Sequence, residues 1–432
     1  MIEQLLSGNK RIGVWGLGFI GYSTVAYYAK HGVKSIGTDI DIRRIDGINK
    51  KLGSIPHMDY WLGFSINPYV DRGMIKATLD WKQLKDCPVH FIAIPTEKNA
   101  EPYHNILIDV VKKICTFKNK PLIIIESTLT PGTVEKIIYP LIKKSGLNLN
   151  KDIFVGVAPR RDWFTDSHQN LEKLYRVYGA SDNKTTKIVG NVVGIVCENL
   201  IVAKDCNHAC IVKSVENSIR QVEIALGNQL SLAYPDYNMR EILKVAGTKW
   251  NINTVFPSLG SSGYCVPIAP QYVLAGASKP EYLTILNESI KTDSGMVKHL
   301  ANKIIKKKYK KIGILGIAYT KDIKVHVLSR SVALVNELKG KAECKIYDPY
   351  YTSQEIRNIA DVKSFKYPEG LNEFDCIVVV PSHSVFNSTP HKDILNNLKN
   401  CKEIIDNEGS WNKINFPKKI KYHLTGDSKW LI

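Results

Sequence analysis

Short apolar runs recur along the first third of the chain, each broken by turn-forming residues. Ile12–Trp15 precedes a cluster of glycines, and Ser23–His31 then has the spacing of a helix. Val33–Thr38, His90–Ile94, Leu122–Glu126 and Phe154–Val157 read as further buried strands. Two of them run into turn residues, at Pro95 and at Thr130-Pro131-Gly132. Short apolar strands alternating with helices predict a parallel sheet covered on both faces. From Asn207 to Ala233 the period changes: Ala209, Val212, Val215, Ile219, Val222 and Leu226 recur three or four residues apart. That spacing predicts a long helix, and a helical segment is expected to continue to about Leu300. A second α/β unit then begins with a strand at Lys310–Leu315 and a tight turn at Gly316-Ile317-Ala318. Strands follow at Cys344–Tyr347, ending at Asp348, and at Cys376–Val380. The expected fold class is α/β, with two Rossmann-like doubly wound domains joined by a central helical segment. The expected bounds are 1–205, 206–300 and 301–432. The two units read as distant repeats of one architecture.

Composition changes this picture little. Of 432 residues, 44% are hydrophobic and 23% charged, as in ordinary globular proteins. No stretch approaches the roughly 20 unbroken apolar residues of a membrane helix, so no membrane insertion is expected. Lys10 and Arg11 before the apolar run 12–29 imitate a secretory signal, but glycines at 13, 16, 18 and 21 interrupt it. Strand–turn–helix is the better reading, and a cytoplasmic location is expected. The nine cysteines are scattered without a CxxC pair, which points to reduced thiols and to no metal site. The net charge of +18 raises an anionic partner. Lysine bias on solvated helix faces accounts for it more simply, and no nucleic-acid motif or basic–aromatic stripe is present, so no specific nucleic-acid partner is expected.

Three constellations carry chemistry. Gly16-Leu17-Gly18-Phe19-Ile20-Gly21 follows a strand and opens a helix. In that setting the first glycine makes the turn, the second admits a pyrophosphate and the third lets helix and strand pack closely. Asp39 ends the next strand, 23 positions after Gly16, where an acid accepts bonds from ribose hydroxyls and repels a 2′-phosphate. The cofactor expected is NAD, with Arg43 and Arg44 leaving some room for NADP. The second constellation is Phe256–Pro270, where small residues crowd in front of Cys265 and give backbone N–H groups room to meet an anion or a ligand. A thiolate there can attack an aldehyde, while a buried structural thiol is the competing account. The third is Lys213 and Asn217, four apart on the long helix and able to hold an oxyanion. An exposed lysine beside a packing asparagine explains the same pair.

Together these segments resemble the UDP-glucose/GDP-mannose dehydrogenase family over nearly the whole chain. The branch oxidising UDP-N-acetylhexosamines (UDP-N-acetylmannosamine or UDP-N-acetylglucosamine) at C6 looks nearest. VWGLGFIGYSTVAYYAKHG with GTDID, AIPTEKNAEP, IIESTLTPGTVE, KSVENSIRQVEIALGNQLS, SLGSSGYCVPIAPQYV, LGIAY, IYDPY and IIDNEGSW carry the resemblance. It implies a four-electron oxidation of a nucleotide-sugar: C6 alcohol to aldehyde, capture by Cys265 as a thiohemiacetal, oxidation to a thioester, and hydrolysis to a carboxylate. It implies that Lys213 and Asn217 hold oxyanions and that Thr128 positions water. Asn228 matches a family asparagine, with no role assigned. Cofactor contacts are expected from Gly16, Gly18, Phe19, Ile20, Gly21, Asp39, Arg44, Pro95, Thr96 and Thr128. Substrate contacts are expected from Arg160, Arg161, Lys213, Asn217, Arg220, Gly260 and Tyr319. A homodimer built on the central helix is implied, as is a product feeding capsule, lipopolysaccharide or another glycan.

Departures from the family pattern are equally specific. The family's Pro-Glu pair is Pro159-Arg160 here, and its aspartate four residues after the cysteine is Ala269. Its phenylalanine–lysine pair is Tyr319-Thr320, and its Asp-Asp-x-Arg run is Lys324-Val325-His326-Val327. Loss of the acids should slow proton abstraction and thioester hydrolysis. Arg160 and Arg161 become candidates for binding a carboxylate or phosphate, and His208 and His326 candidates for the missing base. Three readings follow: a 6-dehydrogenase with a rearranged base, a sugar-nucleotide oxidoreductase that stops early or runs altered chemistry, and a catalytically impaired regulator binding NAD or nucleotide-sugar. Retention of Cys265, Lys213, Asn217 and Thr128 together argues against the third.

Overall fold

A computed structural model describes residues 1–53, 55, 58–162 and 168–432. The backbone packs as two compact units, residues 1–216 with 271–280 and residues 217–270 with 281–432.

The first unit is built on an eight-stranded sheet. Its strands are β1 (Ile12–Trp15), β2 (Ser35–Thr38), β3 (Ile75–Thr78), β4 (Val89–Ile92), β7 (Leu122–Ile125), β8 (Phe154–Val157), β9 (Arg176–Ala180) and β10 (Leu200–Val202). A separate two-stranded hairpin, β5 (Glu97–Lys98) with β6 (Glu101–Pro102), follows β4. The sheet order is β10-β9-β8-β7-β4-β1-β2-β3, parallel except where β9 meets β8. The chain reverses direction across the sheet between β1 and β4, the switch point where such folds open a ligand crevice. Strands β1, β2, β4 and β7 are buried along their whole length, which is why they read as unbroken apolar runs. Val14, Phe91 and Ile124 face one core layer, while Trp15, Ile92 and Ile125 face the other. β2 starts at Ser35 rather than Val33, because the Val33 amide closes the preceding helix on the Tyr28 carbonyl at 2.9 Å.

The second unit holds a six-stranded parallel sheet. It comprises β11 (Lys311–Leu315), β12 (Glu343–Tyr347), β13 (Lys363–Ser364), β14 (Cys376–Val379), β15 (Glu403–Asp406) and β16 (Lys421–Leu424), in the order β13-β12-β11-β14-β15-β16. Taken in chain order this is 3-2-1-4-5-6, and the first six strands of the first sheet, from the β3 edge to β8, follow the same order once the hairpin is set aside. Both units are therefore Rossmann-like and doubly wound.

Between the sheets, the long helix Cys206–Ala233 forms where periodicity places it, with Asp205 accepting the His208 amide at 2.9 Å. The continuous helical segment expected to follow is not observed. Pro235 follows the helix end, Asn238 caps a short helix Met239–Ala246, and residues 247–268 contain neither helix nor strand. Pro257 and Pro267 cannot continue a helix, and Gly260 and Gly263 have φ of +99° and +85°. Regular structure resumes with helices Ala269–Gly276 and Thr284–Lys306. Among the described residues, no helix is long and apolar enough to cross a membrane.

Two buried histidines make stability acid-sensitive. His90 on β4 is fully buried, accepts the Trp15 indole N–H at its Nδ1 (3.2 Å), and is held down to about 3 by burial. Burial, reinforced by Lys303, holds His423 on β16 down to about 4. In the unfolded chain both take protons near 6.5, so the unfolded state binds more protons as pH falls. Stability is thus present above about pH 6.5 and drops below it, by about 1.4 kcal/mol per pH unit for each histidine. Urea midpoints at pH 7, 6 and 5 should fall steadily, and His90→Gln, which keeps an acceptor but cannot titrate, should flatten the slope.

Candidate functional site

In the first unit the glycine turn is shaped by contact, not only by composition. Gly16 has φ +86°, and a Cβ there would lie 2.4 Å from the Ala93 carbonyl oxygen. A Cβ on Gly21 would fall 1.7 Å from the Gly16 oxygen. Only glycine fits either position. Gly18 is the N-cap of helix Phe19–Lys30, with no side-chain cap and no acid in the first turn, so its amides favour an anion. Asp39 fixes the turn: its Oδ2 accepts the Leu17 amide at 2.7 Å and Arg44 Nη1 at 3.0 Å. Its Oδ1 accepts only the Asp41 amide (2.9 Å) and keeps a lone pair for a ribose hydroxyl. Arg44 lies over Gly18, 3.3 Å from where a Cβ would stand. Arg43 pairs instead with Asp41 at 2.8 Å and is 87% exposed. These residues fit a dinucleotide.

The ends of β4 and β7 are stitched together beside this turn. The Ile94 amide donates to Ser127 Oγ at 3.0 Å, and Ser127 Oγ donates to the Ile94 carbonyl at 2.7 Å. Thr96 is buried, and its hydroxyl donates to the Thr128 carbonyl at 2.5 Å. Thr96 therefore holds Thr128, while Pro95 is exposed. Phe19 and Ile20 form the first turn of the dinucleotide helix.

Arg160 is a correction. It was expected to face substrate, but its side chain is only 3% exposed and is spent on internal partners. It forms an ion pair with Asp162 through two nitrogens and donates to Ser23 Oγ and Thr24 Oγ1, both at 2.8 Å. Glu126 lies 3.8 Å away and is itself paired with Arg176 at 2.6 Å. Two arginines and two carboxylates form a neutral, buried quartet under the first turns of the dinucleotide helix. The Arg160 guanidinium holds the Asp162 carboxyl below the usual range against burial, which opposes it. Arg161 is half-buried, paired with Glu216 at 2.7 Å and bonded to the Tyr175 carbonyl at 2.7 Å.

Lys213 and Asn217 lie one turn apart on the long helix, both half-buried, and Arg220 is exposed further along it. The burial pattern of this helix is inverted. Ser214, Ser218, Gln221, Asn228 and Ser231 are buried, whereas Ile211, Val215, Ile219 and Leu226 are 37–57% exposed.

In the second unit, Cys265 is the exposed one among nine free cysteines. The loop before it is pinned amide by amide. Asn228 Oδ1 accepts from Ser258 at 2.7 Å, Asn407 Oδ1 from Leu259 at 2.9 Å, and Asp293 Oδ1 from Ser261 at 2.8 Å. The Gly260 amide turns to Ser258 Oγ at 3.2 Å, and Gly263 donates to the Val327 carbonyl at 2.8 Å. This corrects the expectation that these amides await an anion: internal acceptors occupy them. The glycines serve conformation, since a Cβ on Gly260 would lie 2.4 Å from the Asp293 oxygen. Arg330 pairs with Asp293 at 2.9 Å and also bonds the Ser261 carbonyl. The Cys265 carbonyl accepts the Ala269 amide at 3.0 Å, starting the helix that follows. Tyr319 packs against Gly263, where a Cβ would come 2.9 Å from its ring. Burial pushes the Tyr319 phenol well above its usual range, with Cys265 and Tyr264 adding to the rise, so it stays a protonated donor.

Asn407, Asp293, Gln221 and Arg330 are holders of the cysteine loop that sequence reasoning passed over, with Gln221 Oε1 accepting the Ser261 hydroxyl at 2.9 Å; Asn228 was matched to a family asparagine but given no role. Of the candidate bases, His208 is tied to Asp205 at 2.9 Å in the first unit. His326 lies next to Val327, the acceptor for Gly263, and contacts Tyr351 at 3.3 Å. Burial lowers its pKa, so its ring is unprotonated near pH 7. Ala269 places a buried methyl where an acid was expected from the resemblance.

In the second unit the glycine device recurs. Asp348 Oδ2 accepts the Ile317 and Ala318 amides at 2.8 and 3.1 Å after Gly316, with His383 Nε2 at 3.1 Å. No helix follows directly; residues 317–329, which carry Tyr319 and His326, intervene before helix Arg330–Leu338.

Three sequence profiles of the UDP-glucose/GDP-mannose dehydrogenase family match in order: the NAD binding domain over residues 10–194, the central domain over 207–293 and the UDP binding domain over 313–413. A UDP-N-acetyl-D-mannosamine dehydrogenase of Methanococcus aeolicus is 27% identical, covering 98% of this chain and 97% of the relative. A UDP-N-acetyl-D-glucosamine 6-dehydrogenase of Salmonella typhi is 26% identical over 89% of this chain and 92% of its own. The structure of UDP-D-ManNAc dehydrogenase from Pyrococcus horikoshii superposes with a TM-score of 0.84 at 24% identity, covering 97% of this chain and all of that one. It shares the fold.

The quartet makes a stability prediction. Arg160→Ala leaves Asp162 and Glu126 short of a counterion in the interior and should cost about 3–5 kcal/mol. Arg161→Ala, at a half-exposed pair, should cost under about 1 kcal/mol. Urea unfolding of both variants checks the contrast.

Proposed function

Because the chain belongs to the UDP-glucose/GDP-mannose dehydrogenase family and is an NAD-dependent oxidoreductase, we propose that it oxidises the C6 alcohol of a UDP-N-acetylhexosamine to the uronate through Cys265. The observation that carries this reading is the exposed Cys265 thiol at the end of a loop held by buried side chains from three other elements. The relatives named above act on sugars of this class.

In this reading the glycine turn and Asp39 hold NAD, which supplies the hydride acceptor for both oxidations. The C6 alcohol loses a hydride from carbon and a proton from oxygen to become an aldehyde. Cys265 Sγ bonds the aldehyde carbon, giving a thiohemiacetal whose oxyanion Lys213 and Asn217 stabilise. A second two-electron loss gives a thioester. Water placed by Thr128 adds to it, and the carboxylate leaves as the thiol is restored. Tyr319, fixed as a donor beside the loop, serves the substrate side. We assign proton removal to His326, whose lowered pKa keeps the ring unprotonated and so able to accept a proton, and whose neighbour is bonded to the cysteine loop.

A slow final step is part of the proposal. Arg160 and Ala269 supply no carboxylate, and the nearby Asp162 is neutralised by Arg160. The early-stopping reading draws on the same observation. The exposed apolar stripe on the long helix supports a homodimer, because a single chain would leave Ile211, Val215, Ile219 and Leu226 in water. We place the enzyme in the cytoplasm, making a uronate precursor for a surface glycan.

Purified protein with NAD and a panel of UDP- and GDP-sugars should yield two NADH per sugar, with UDP-N-acetylhexosamines preferred. One NADH per sugar identifies the enzyme that stops early, and none identifies the impaired regulator. Cys265→Ala should halt after the first oxidation, and Lys213→Ala should lower kcat by about 10²–10³-fold. Intact mass should show a sugar adduct on Cys265 during turnover. Ile219→Asp should convert the dimer to a monomer in sedimentation velocity.

A further inference from the structure

We propose that Tyr272 is a positioning residue for the hydrolytic step, holding Thr128 in register through Thr96. This rests on the reading above, in which Thr128 places the attacking water. Tyr272 lies on the helix Ala269–Gly276, which starts on the Cys265 carbonyl. Its side chain is buried, and its phenol oxygen sits 3.0 Å from Thr96 Oγ1. Direction follows from proton count. Thr96 has one hydroxyl proton and gives it to the Thr128 carbonyl at 2.5 Å. In the contact with Tyr272 the phenol must therefore donate. The chain of bonds runs from Tyr272 to Thr96 to the Thr128 backbone.

A second contact on the same helix face makes the seating specific. Gly276, one turn on, has no room for a side chain: a Cβ there would lie 2.6 Å from Pro131 Cδ. Tyr272, by way of Thr96, and Gly276, directly on Pro131, thus bear on the two ends of the segment 128–131, while Ser127 is fixed by Ile94. A phenylalanine would fill the same space, so the hydroxyl is there for its bond; burying it unbonded would be unfavourable. Small displacements of a reacting group change rates steeply.

Tyr272→Phe removes the bond and keeps the ring. The first NADH should form at the wild-type rate with unchanged KM for sugar. Steady-state kcat should fall about 3- to 10-fold, the loss expected of one hydrogen bond, and the Cys265 thioester adduct should accumulate by intact mass. Thr96→Val, which breaks the same chain of bonds one step nearer Thr128, should raise the thioester adduct at least as much, and the double variant should accumulate no more of it than Thr96→Val alone. If Tyr272→Phe matches wild type, or only lowers Tm without raising the adduct, the relay is overturned. Cys265→Ala separates the two failures. If it still gives two NADH per sugar, the thioester reading falls. If it stops at one while Tyr272→Phe is silent, only the relay falls.

Discussion

One kind of bond organises both ligand edges of this molecule: a carboxylate at the end of a second strand accepting amides from a glycine turn after the first. Asp39 does this for Leu17, and Asp348 for Ile317 and Ala318. The bond sets the shape of the turn, and the turn sets where the chain departs from the sheet. In the first unit it departs straight into a helix whose uncapped amides suit a pyrophosphate. In the second it departs into residues 317–329, which bring Tyr319 and Val327 onto the cysteine loop. The same device thus produces a cofactor cradle in one unit and a support for the nucleophile in the other.

The substitution of arginine for a family glutamate at position 160 has a structural meaning that charge alone does not reveal. An arginine cannot be buried without compensation. Here Asp162 and Glu126 provide it, and Ser23 and Thr24 of the dinucleotide helix take the remaining N–H groups. The segment after β8 has exchanged a reactive role for a structural one. Neither Arg160 nor Ala269 offers a carboxylate for proton transfer.

The loop that carries Cys265 owes its position to residues far from it in sequence. Asn228 comes from the long helix, Asp293 from helix Thr284–Lys306, Asn407 from beyond β15 and Arg330 from the start of helix Arg330–Leu338. They use the loop's own amides as anchors, leaving the thiol exposed while its backbone is fixed. The long helix makes a similar exchange. Its polar side chains Ser214, Ser218, Gln221, Asn228 and Ser231 are buried, with Asn228 bonding the loop, while Ile211, Val215, Ile219 and Leu226 stay exposed.

The sequence alone determined the two Rossmann-like sheets, because fully buried strands must be apolar and glycine turns must be glycine. It also singled out Gly16 and Gly21, whose positions admit no side chain, and Asp39, which fixes the turn. It did not reveal that Arg160 is internal, since an arginine reads the same whether its partners are substrate or Asp162 two residues on. Nor did it reveal that the amides before Cys265 are already bonded, or that the long helix buries serines and exposes isoleucines. Periodicity reports how many faces a helix has, but not which one the chain covers. Those outcomes depend on which distant residues meet, and only the tertiary structure decides that.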